Sequence, residues 1–329
     1  MTILVTGATS AVGYFIAKKV REQFPKSEIK ALSRSGKKAK ELEELGINIV
    51  KGDLTDKTSL NKALKGIKTV YNAAGEARDY IPTKLYYDVN VAGTRNMLEV
   101  FVENKGEKFL HISTVGIYGY QPKPQPIKET HPKKSDHPYH KTKMIAEELV
   151  FQYAKEHNFF ASAVRPPYIV GPRDRQVAPK IFDYLLHDRK IPLVGGGNAV
   201  VSFVHHDDVA QALVLAGETE QANGEAFHII GGTCTARKLF EMAGEITGKE
   251  PIFQEISFPV AFTVAIMSEL MAKIKGSKPK ISRRRVNQFS RTRVYSIDKL
   301  KEIVGFEPKY DVRKCFQDAY DWMKEEKII

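Results

Sequence analysis

Tyr139 and Lys143 are the residues of this chain whose types and spacing best suit acid–base chemistry. They lie four apart, so on a helix both side chains leave the same face, one turn from each other. A phenol has a reference pKa of about 10. An ammonium a few ångströms away favours the phenolate and lowers that value. Such a pair can give or take a proton near neutral pH, as the interconversion of a ketone and an alcohol requires. An exposed helix face carrying Tyr and Lys by chance looks the same, so the pair gains meaning only from the elements that position it.

Those elements alternate along the first half of the chain. Apolar runs at 3–5, 29–32, 47–50, 69–72, 109–112 and 161–164 read as short strands. Helical patterns at 12–23, 37–45 and 85–104, and one around Tyr139, separate them. This alternation predicts an α/β fold, a Rossmann-type doubly wound parallel sheet with ligands at the carboxyl ends of its strands. The expected division is a dinucleotide-binding domain over 1–165, to which 203–220 returns. A smaller substrate-binding domain then comprises 166–202 and 221–329.

The first strand-to-helix turn, Thr6 to Gly13, is built of small residues. Gly7, Thr9, Ser10, Ala11, Val12 and Gly13 would let the backbone approach a pyrophosphate at a helix N-terminus. Ser10 stands where a third glycine is expected, and its hydroxyl could donate to a phosphate; an ordinary tight turn is the alternative. The second strand ends in Leu32-Ser33-Arg34-Ser35-Gly36-Lys37-Lys38, with no acid for a ribose hydroxyl. Arg34 suits a 2′-phosphate, so NADP is the expected cofactor, with NAD as the alternative. Within Gly52-Asp53-Leu54, Asp53 could accept from an adenine amine or cap the next helix.

The 329 residues, 42% apolar and 27% charged, are those of a globular protein with a large core. Cys234 and Cys315 form no framework, which suggests a reducing compartment. Without a signal pattern or an apolar run of membrane-spanning length, a cytoplasmic location is expected. The net charge is +12, and no acid stands between Glu269 and Asp298. That interval holds Lys273, Lys275, Lys278, Lys280, Arg283, Arg284, Arg285, Arg291 and Arg293. One local patch without interleaved stacking aromatics argues against a nucleic-acid partner.

In order and spacing, the motifs resemble the extended short-chain dehydrogenase/reductase superfamily over nearly the whole chain. They are Thr6-Gly7 to Gly13, Gly52-Asp53-Leu54, Asn72-Ala73-Ala74-Gly75 and Asn90-Val91-x-Gly93-Thr94. Ser113-Thr114-x-x-x-Tyr118-Gly119, Tyr139-x-x-x-Lys143, Arg165-Pro166-Pro167 and Gly171-Pro172 follow. The resemblance implies that Tyr139 is the general acid/base, and that Lys143 lowers its pKa and holds the nicotinamide ribose. It gives Thr114 the substrate oxygen; alternation would turn its neighbour Ser113 to the opposite face. Asn90 would support Lys143. Leu54, Ala73, Ala74 and Pro166 would line the cofactor cleft, the two alanines serving equally as packing under a helix. A homodimer is a further family expectation.

Members acting on nucleotide sugars resemble one another at two positions where this chain departs. Tyr168 stands for an Asn after the sixth strand, and Val201 for an Arg before Phe203-Val204. A diphosphate would lose two polar contacts there. Pro166-Pro167 and the apolar segment after Phe258 look instead like the 3β-hydroxysteroid dehydrogenase and dihydroflavonol reductase branch. The expected substrate is therefore an apolar carbonyl compound or alcohol. A nucleotide-sugar epimerase or dehydratase is the alternative, and a non-catalytic NADP-binding regulator a third reading. Phe258 to Met267 could form a lid or a core helix. With the basic residues after it, segment 258–293 could also contact an anionic membrane, or be simply solvated. His205-His206-Asp207-Asp208 is expected to hold no metal, one Asp capping a helix. Gln121 to His137, rich in proline, reads as a loop near the active site, and 195–198 as a turn.

Overall fold

The computed structural model describes residues 1–34, 40–120, 125–135 and 137–329. Twelve strands are described: β1 Thr2–Thr6, β2 Glu28–Ser33, β3 Asn48–Lys51, β4 Thr69–Asn72, β5 Lys108–Ile112, β6 Phe160–Arg165, β7 Tyr168–Val170, β8 Ile191–Val194, β9 Val200–His205, β10 Glu225–His228, β11 Gly232–Thr235 and β12 Phe253–Ile256. The helices of the first half are α1 Ala11–Gln23, α2 Lys40–Glu44, α3 Lys57–Leu64, α4 Thr83–Tyr86, α5 Gly93–Glu103 and α6 Pro138–His157. Those of the second are α7 Ala178–Leu186, α8 His206–Glu218, α9 Ala236–Thr247, α10 Phe258–Lys275, α11 Arg283–Ser290, α12 Asp298–Val304 and α13 Val312–Glu325.

Seven strands form one sheet in the order β10-β6-β5-β4-β1-β2-β3, every pairing parallel. Apolar side chains on β1 (Ile3, Leu4 and Val5) are fully buried because helices cover both faces. On one face α1 (Ile16, Ala17, Val20) and α8 (Val209, Leu213) share a core with the sheet. On the other, α3, α5 and α6 pack Leu60, Phe101 and Val150 against Val70 and Phe109. The chain runs outward from β1 in both directions, leaving a crevice between the ends of β1 and β4. A separate core, centred on Phe182, Phe203, Leu239 and Phe316, unites α7, α9, α13 and β9.

Several expectations need correction. Of 203–220 only α8 returns to the large sheet, since β9 pairs with β7 and β11 in a separate three-stranded sheet, whereas β10, which pairs with β6, and α12 beside it also return. The pattern over 85–104 is not one regular helix: a π-helical stretch, Tyr87–Ala92, separates α4 from α5. The helix expected over 37–45 is described only as α2, residues 37–39 lying outside the described ones. Of the loop expected over 121–137, 121–124 and 136 likewise lie outside; the remainder before α6 contains no helix. Neither Asp207 nor Asp208 caps α8. His205 does, accepting from Asp207 N at 3.1 Å, and both aspartates occupy the first turn. Asp208 instead accepts the backbone N–H groups of Lys309 and Tyr310.

Candidate active site

The turn after β1 is forced into a close approach. Gly7 adopts φ +68°, and a Cβ there would stand 2.8 Å from the Ala73 carbonyl carbon. A Cβ on Gly13 would meet Gly7 O at 2.0 Å. Only glycine therefore lets α1 sit this close to the end of β1. The amides of Ala11 and Val12 bond nothing among the described residues, and both residues border the cavity. Two free N–H groups at the start of a 13-residue helix are the donor set a pyrophosphate needs, so the residues present fit a dinucleotide. Ser10 departs from expectation. Its hydroxyl donates to Gly7 O (2.7 Å) and accepts from Gly13 N (3.2 Å), which makes it the cap of α1 rather than a phosphate donor.

Thr9, Ser10, Ala11, Val12, Arg34, Ala73, Ala74, Thr114, Tyr139, Lys143 and Pro166 all border one cavity of about 1260 Å³. Gly7 and Gly13 do not border it themselves. Asp53, Leu54 and Asn90 do not border it. Asp53 closes a turn on Thr55, accepting from its N (2.9 Å) and hydroxyl (2.8 Å). Asp56, not Asp53, caps α3. Leu54 is buried against Gly93, where a Cβ would stand 2.8 Å from Leu54 Cβ. Asn90 does not reach Lys143; it accepts from Glu76 N (2.7 Å) and donates to the Thr142 hydroxyl (3.1 Å). Thr142 in turn donates to Tyr139 O (2.9 Å), so Asn90 steadies the turn between Tyr139 and Lys143.

Tyr139 and Lys143 share one face of α6, as the spacing predicts. The electrostatics differ from expectation. Burial pushes the Tyr139 phenol up to about 12, and the lowering influence is the Arg284 guanidinium of α11, not Lys143. Lys143 is itself pushed down to about 8 by burial, against the raising effect of Glu147 one turn further along. Desolvation disfavours the charged form of both groups, and Lys143 then has less charge to lend.

A buried chain of polar groups supports Lys143. Its Nζ lies 3.1 Å from His111 Nε2, and His111 Nδ1 lies 3.2 Å from Asn72 Nδ2. The Asn72 oxygen accepts from the Thr6 hydroxyl (2.7 Å), which accepts from Ala74 N (3.0 Å). Burial, reinforced by the Lys143 charge, holds His111 well below its ordinary pKa, so the imidazole is neutral. The proton on the imidazole follows the charge of Lys143: a neutral amine accepts from Nε2–H, with the Asn72 amide donating to Nδ1, whereas the ammonium donates to Nε2. Protonating Lys143 reverses that bond and requires the Asn72 amide to turn over. None of this chain was anticipated beyond the motif containing Asn72. Buried His at the penultimate position of a parallel strand was the available signal.

Thr114 caps a short 3₁₀ turn, accepting from Gly116 N at 3.1 Å and donating to Pro166 O at 3.5 Å. The second contact is at the outer limit of a hydrogen bond, so the hydroxyl can turn to a substrate oxygen at little cost. Ser113 was expected to face away, yet it too borders the cavity, and its buried Oγ has no partner. Strand geometry ends at Ile112, so alternation does not govern the pair.

Tyr118 and Arg165, read as parts of site motifs, brace the site from behind. Arg165 grips Glu147 through both carboxylate oxygens (2.8 and 2.6 Å) and donates to the Tyr118 hydroxyl (2.7 Å). That hydroxyl also reaches His228 Nε2 at 2.9 Å. One network thus ties α6, β6 and β10 together. Apolar residues from distant segments also border the cavity: Tyr168, Val201, Phe289, and Val260 and Val264 of α10. Tyr168 stacks on Phe289 with centroids 6.3 Å apart. Arg284 and Arg293 also border the cavity, and the Nε–H of each is buried without a partner. Among the described residues, no group of three His, Cys, Asp or Glu could hold a metal ion.

Comparison with known proteins adds four findings. The model of the NAD dependent epimerase/dehydratase family matches residues 3–229. The chain is 27% identical to the sterol-4-alpha-carboxylate 3-dehydrogenase, decarboxylating, of Candida albicans, covering 85% of this chain and 84% of that protein. It is 28% identical to the N-acetyl-alpha-D-glucosaminyl-diphospho-ditrans,octacis-undecaprenol 4-epimerase of Escherichia coli O157:H7, covering 76% of each. The solved UDP-glucuronic acid 4-epimerase of Bacillus cereus in complex with NAD superposes with TM-score 0.79 at 22% identity, covering 99% of each chain, which shows a shared fold.

Proposed function

This chain belongs to the NAD-dependent epimerase/dehydratase family, and on that premise we propose that it interconverts a ketone and a secondary alcohol on an apolar substrate. The observation that carries the reading is the apolar part of the cavity lining contributed by the second half of the chain. Tyr168, Val201, Phe289, Val260 and Val264 offer aromatic and aliphatic surface where a nucleotide sugar would need hydrogen-bonding groups.

The bound dinucleotide supplies hydride acceptance or donation, and the protein's own groups handle the proton and the oxygen. Tyr139, held protonated by its burial, donates to the carbonyl oxygen in reduction and takes the proton back in oxidation. Thr114 turns its hydroxyl from Pro166 O to the same oxygen, with Ser113 Oγ beside it. Arg284 places positive charge where a phenolate would form. Lys143, backed by His111, holds the ribose side of the cleft. Arg34, exposed at the cavity edge, selects a 2′-phosphate and hence NADP.

A second reading, a nucleotide-sugar epimerase, draws support from Arg284 and Arg293, whose unpartnered Nε–H groups suit a diphosphate. Two assays separate them: consumption of NADPH with a panel of cyclic and long-chain ketones, and epimerisation of UDP-hexoses followed by proton NMR. Ketone-dependent NADPH consumption without epimerisation is expected. Epimerisation without net consumption would replace the first reading with the second. For the cofactor, NADPH is expected to bind at least about tenfold more tightly than NADH, and Arg34→Ala to remove the difference. Equal affinities in the unsubstituted protein would count against the role given to Arg34.

A further inference from the structure

Helix α10 is built inside out. The residues it turns to the protein are small: Ala261, Ala265 and Ala272 are the buried ones. Its large apolar side chains face solvent. Val260 (56% exposed), Val264 (50%), Met267 (58%), Met271 (52%) and Ile274 (85%) follow one another at intervals of four, three, four and three. This spacing sets them in one stripe along the helix, with Ile266 and Leu270 on its flank. The stripe runs roughly 21 Å at 1.5 Å per residue. A helix folded only for the core would turn these side chains inward, so the stripe has another partner.

The charges next to it identify that partner. Lys273, Lys275, Lys278 and Lys280 are exposed at the end of the stripe, and none has a carboxylate within ion-pair distance among the described residues. The nine cations of this interval therefore do not act as one patch. Arg283 pairs with Glu269, Arg284 and Arg285 with Asp79, Arg291 lies over Phe258 and Arg293 over Tyr120. These five arginines belong to the fold and the four lysines are free. Glu269, the one acid of α10, is consumed by Arg283. A second copy packed through the same helix would bring only Glu269, already paired with Arg283, to meet the lysines.

We propose that α10 lies flat in the surface of an anionic bilayer, its apolar stripe among the acyl chains and the four lysines on the lipid head groups. No described helix is long and apolar enough to cross a membrane, which agrees with a helix that lies on it. Val260 and Val264 belong both to the stripe and to the cavity wall, so docking sets the cavity mouth against the lipid. The docking rests on the geometry of α10 alone and stands whichever carbonyl compound the site takes.

The test is co-sedimentation of the full chain with vesicles of phosphatidylcholine alone or with about 30% phosphatidylglycerol, at low and physiological salt. Binding is expected to the anionic vesicles only and to weaken with salt. Two variants that leave the cavity wall untouched, Met267→Glu/Met271→Glu and the threefold Lys273/Lys275/Lys278→Gln, should each lower partitioning by about tenfold or more. NADPH binding by each variant verifies that it is folded. Lack of binding to anionic vesicles at either salt would overturn the proposal. So would binding that survives Met267→Glu/Met271→Glu, or a dimer that this double variant dissolves while vesicles are ignored.

Discussion

At the scale of single residues, the site is decided by burial more than by the pairing that first drew attention to it. Tyr139 stands at about 12 and Lys143 at about 8, each moved toward its neutral form. The proposed chemistry then has a definite pH dependence. Lys143 has a folded pKa below its ordinary value, so its charge is present under about pH 8 and is lost above it. Tyr139 stays protonated through that range. For ketone reduction, kcat/KM is expected to be level from about pH 6 to 7.5 and to fall above about pH 8, while alcohol oxidation rises into the alkaline range. His111→Leu removes the acceptor at 3.1 Å from the ammonium, so the alkaline limb should move to lower pH. A limb that stays put in that variant would show that His111 only fills space. The Tyr139–Lys143 spacing was legible in the sequence; the burial that reverses its expected electrostatics was not, because it comes from segments far away. Arg284, the charge that does act on Tyr139, lies 145 positions further on (284 minus 139).

At the scale of elements, α6 does two jobs with one heptad-like row: Tyr139 and Lys143 face the cavity, and Glu147 anchors the helix to β6. Glu147 is fully buried, and its carboxyl is held down to about 2 against its burial by Arg165 and then Lys133. A carboxylate with a depressed folded pKa lends stability that is present above its unfolded value. That stability, about 3 kcal/mol, is lost as pH falls from about 4.5 toward 2. Glu147→Gln leaves Arg165 buried without its counter-charge and should cost about 3–5 kcal/mol at neutral pH. It should also flatten the acid limb of the unfolding curve, measured by urea denaturation across that range. An unchanged acid limb would contradict the role given to this pair. The first six strands and most helices between them were readable from local patterns because a parallel sheet demands unbroken apolar runs and tight glycine turns; the six later strands were not. The interruption of 85–104 by a π turn was not, since every residue there is an acceptable helix former. Nor was the capping of α3 by Asp56 and of α8 by His205, because each has an equally plausible aspartate beside it.

At the scale of the whole molecule, the cofactor half and the substrate half became legible to different degrees for a topological reason. The cofactor half is made by consecutive turns at the ends of neighbouring strands, so its residues announce themselves as short motifs. The substrate half is gathered from Tyr168, Val201, Phe289 and α10, which share no motif and meet only in three dimensions. The same α10 that closes this half presents its large side chains and the unpaired lysines beyond it to the outside. Under the docking proposed above, chemistry and location would be joined in one element, since Val260 and Val264 belong both to the cavity wall and to the exposed stripe. The central claim remains that the Tyr139 phenol exchanges the proton of a carbonyl reduction. Its most direct test is a single turnover of NADPH, followed by the absorbance of the reduced nicotinamide, with a ketone accepted by the unsubstituted protein, compared with Tyr139→Phe. The account predicts that the variant binds NADPH within about threefold of the original and loses at least about a hundredfold in the rate of its oxidation. Undiminished oxidation of NADPH by Tyr139→Phe would contradict it.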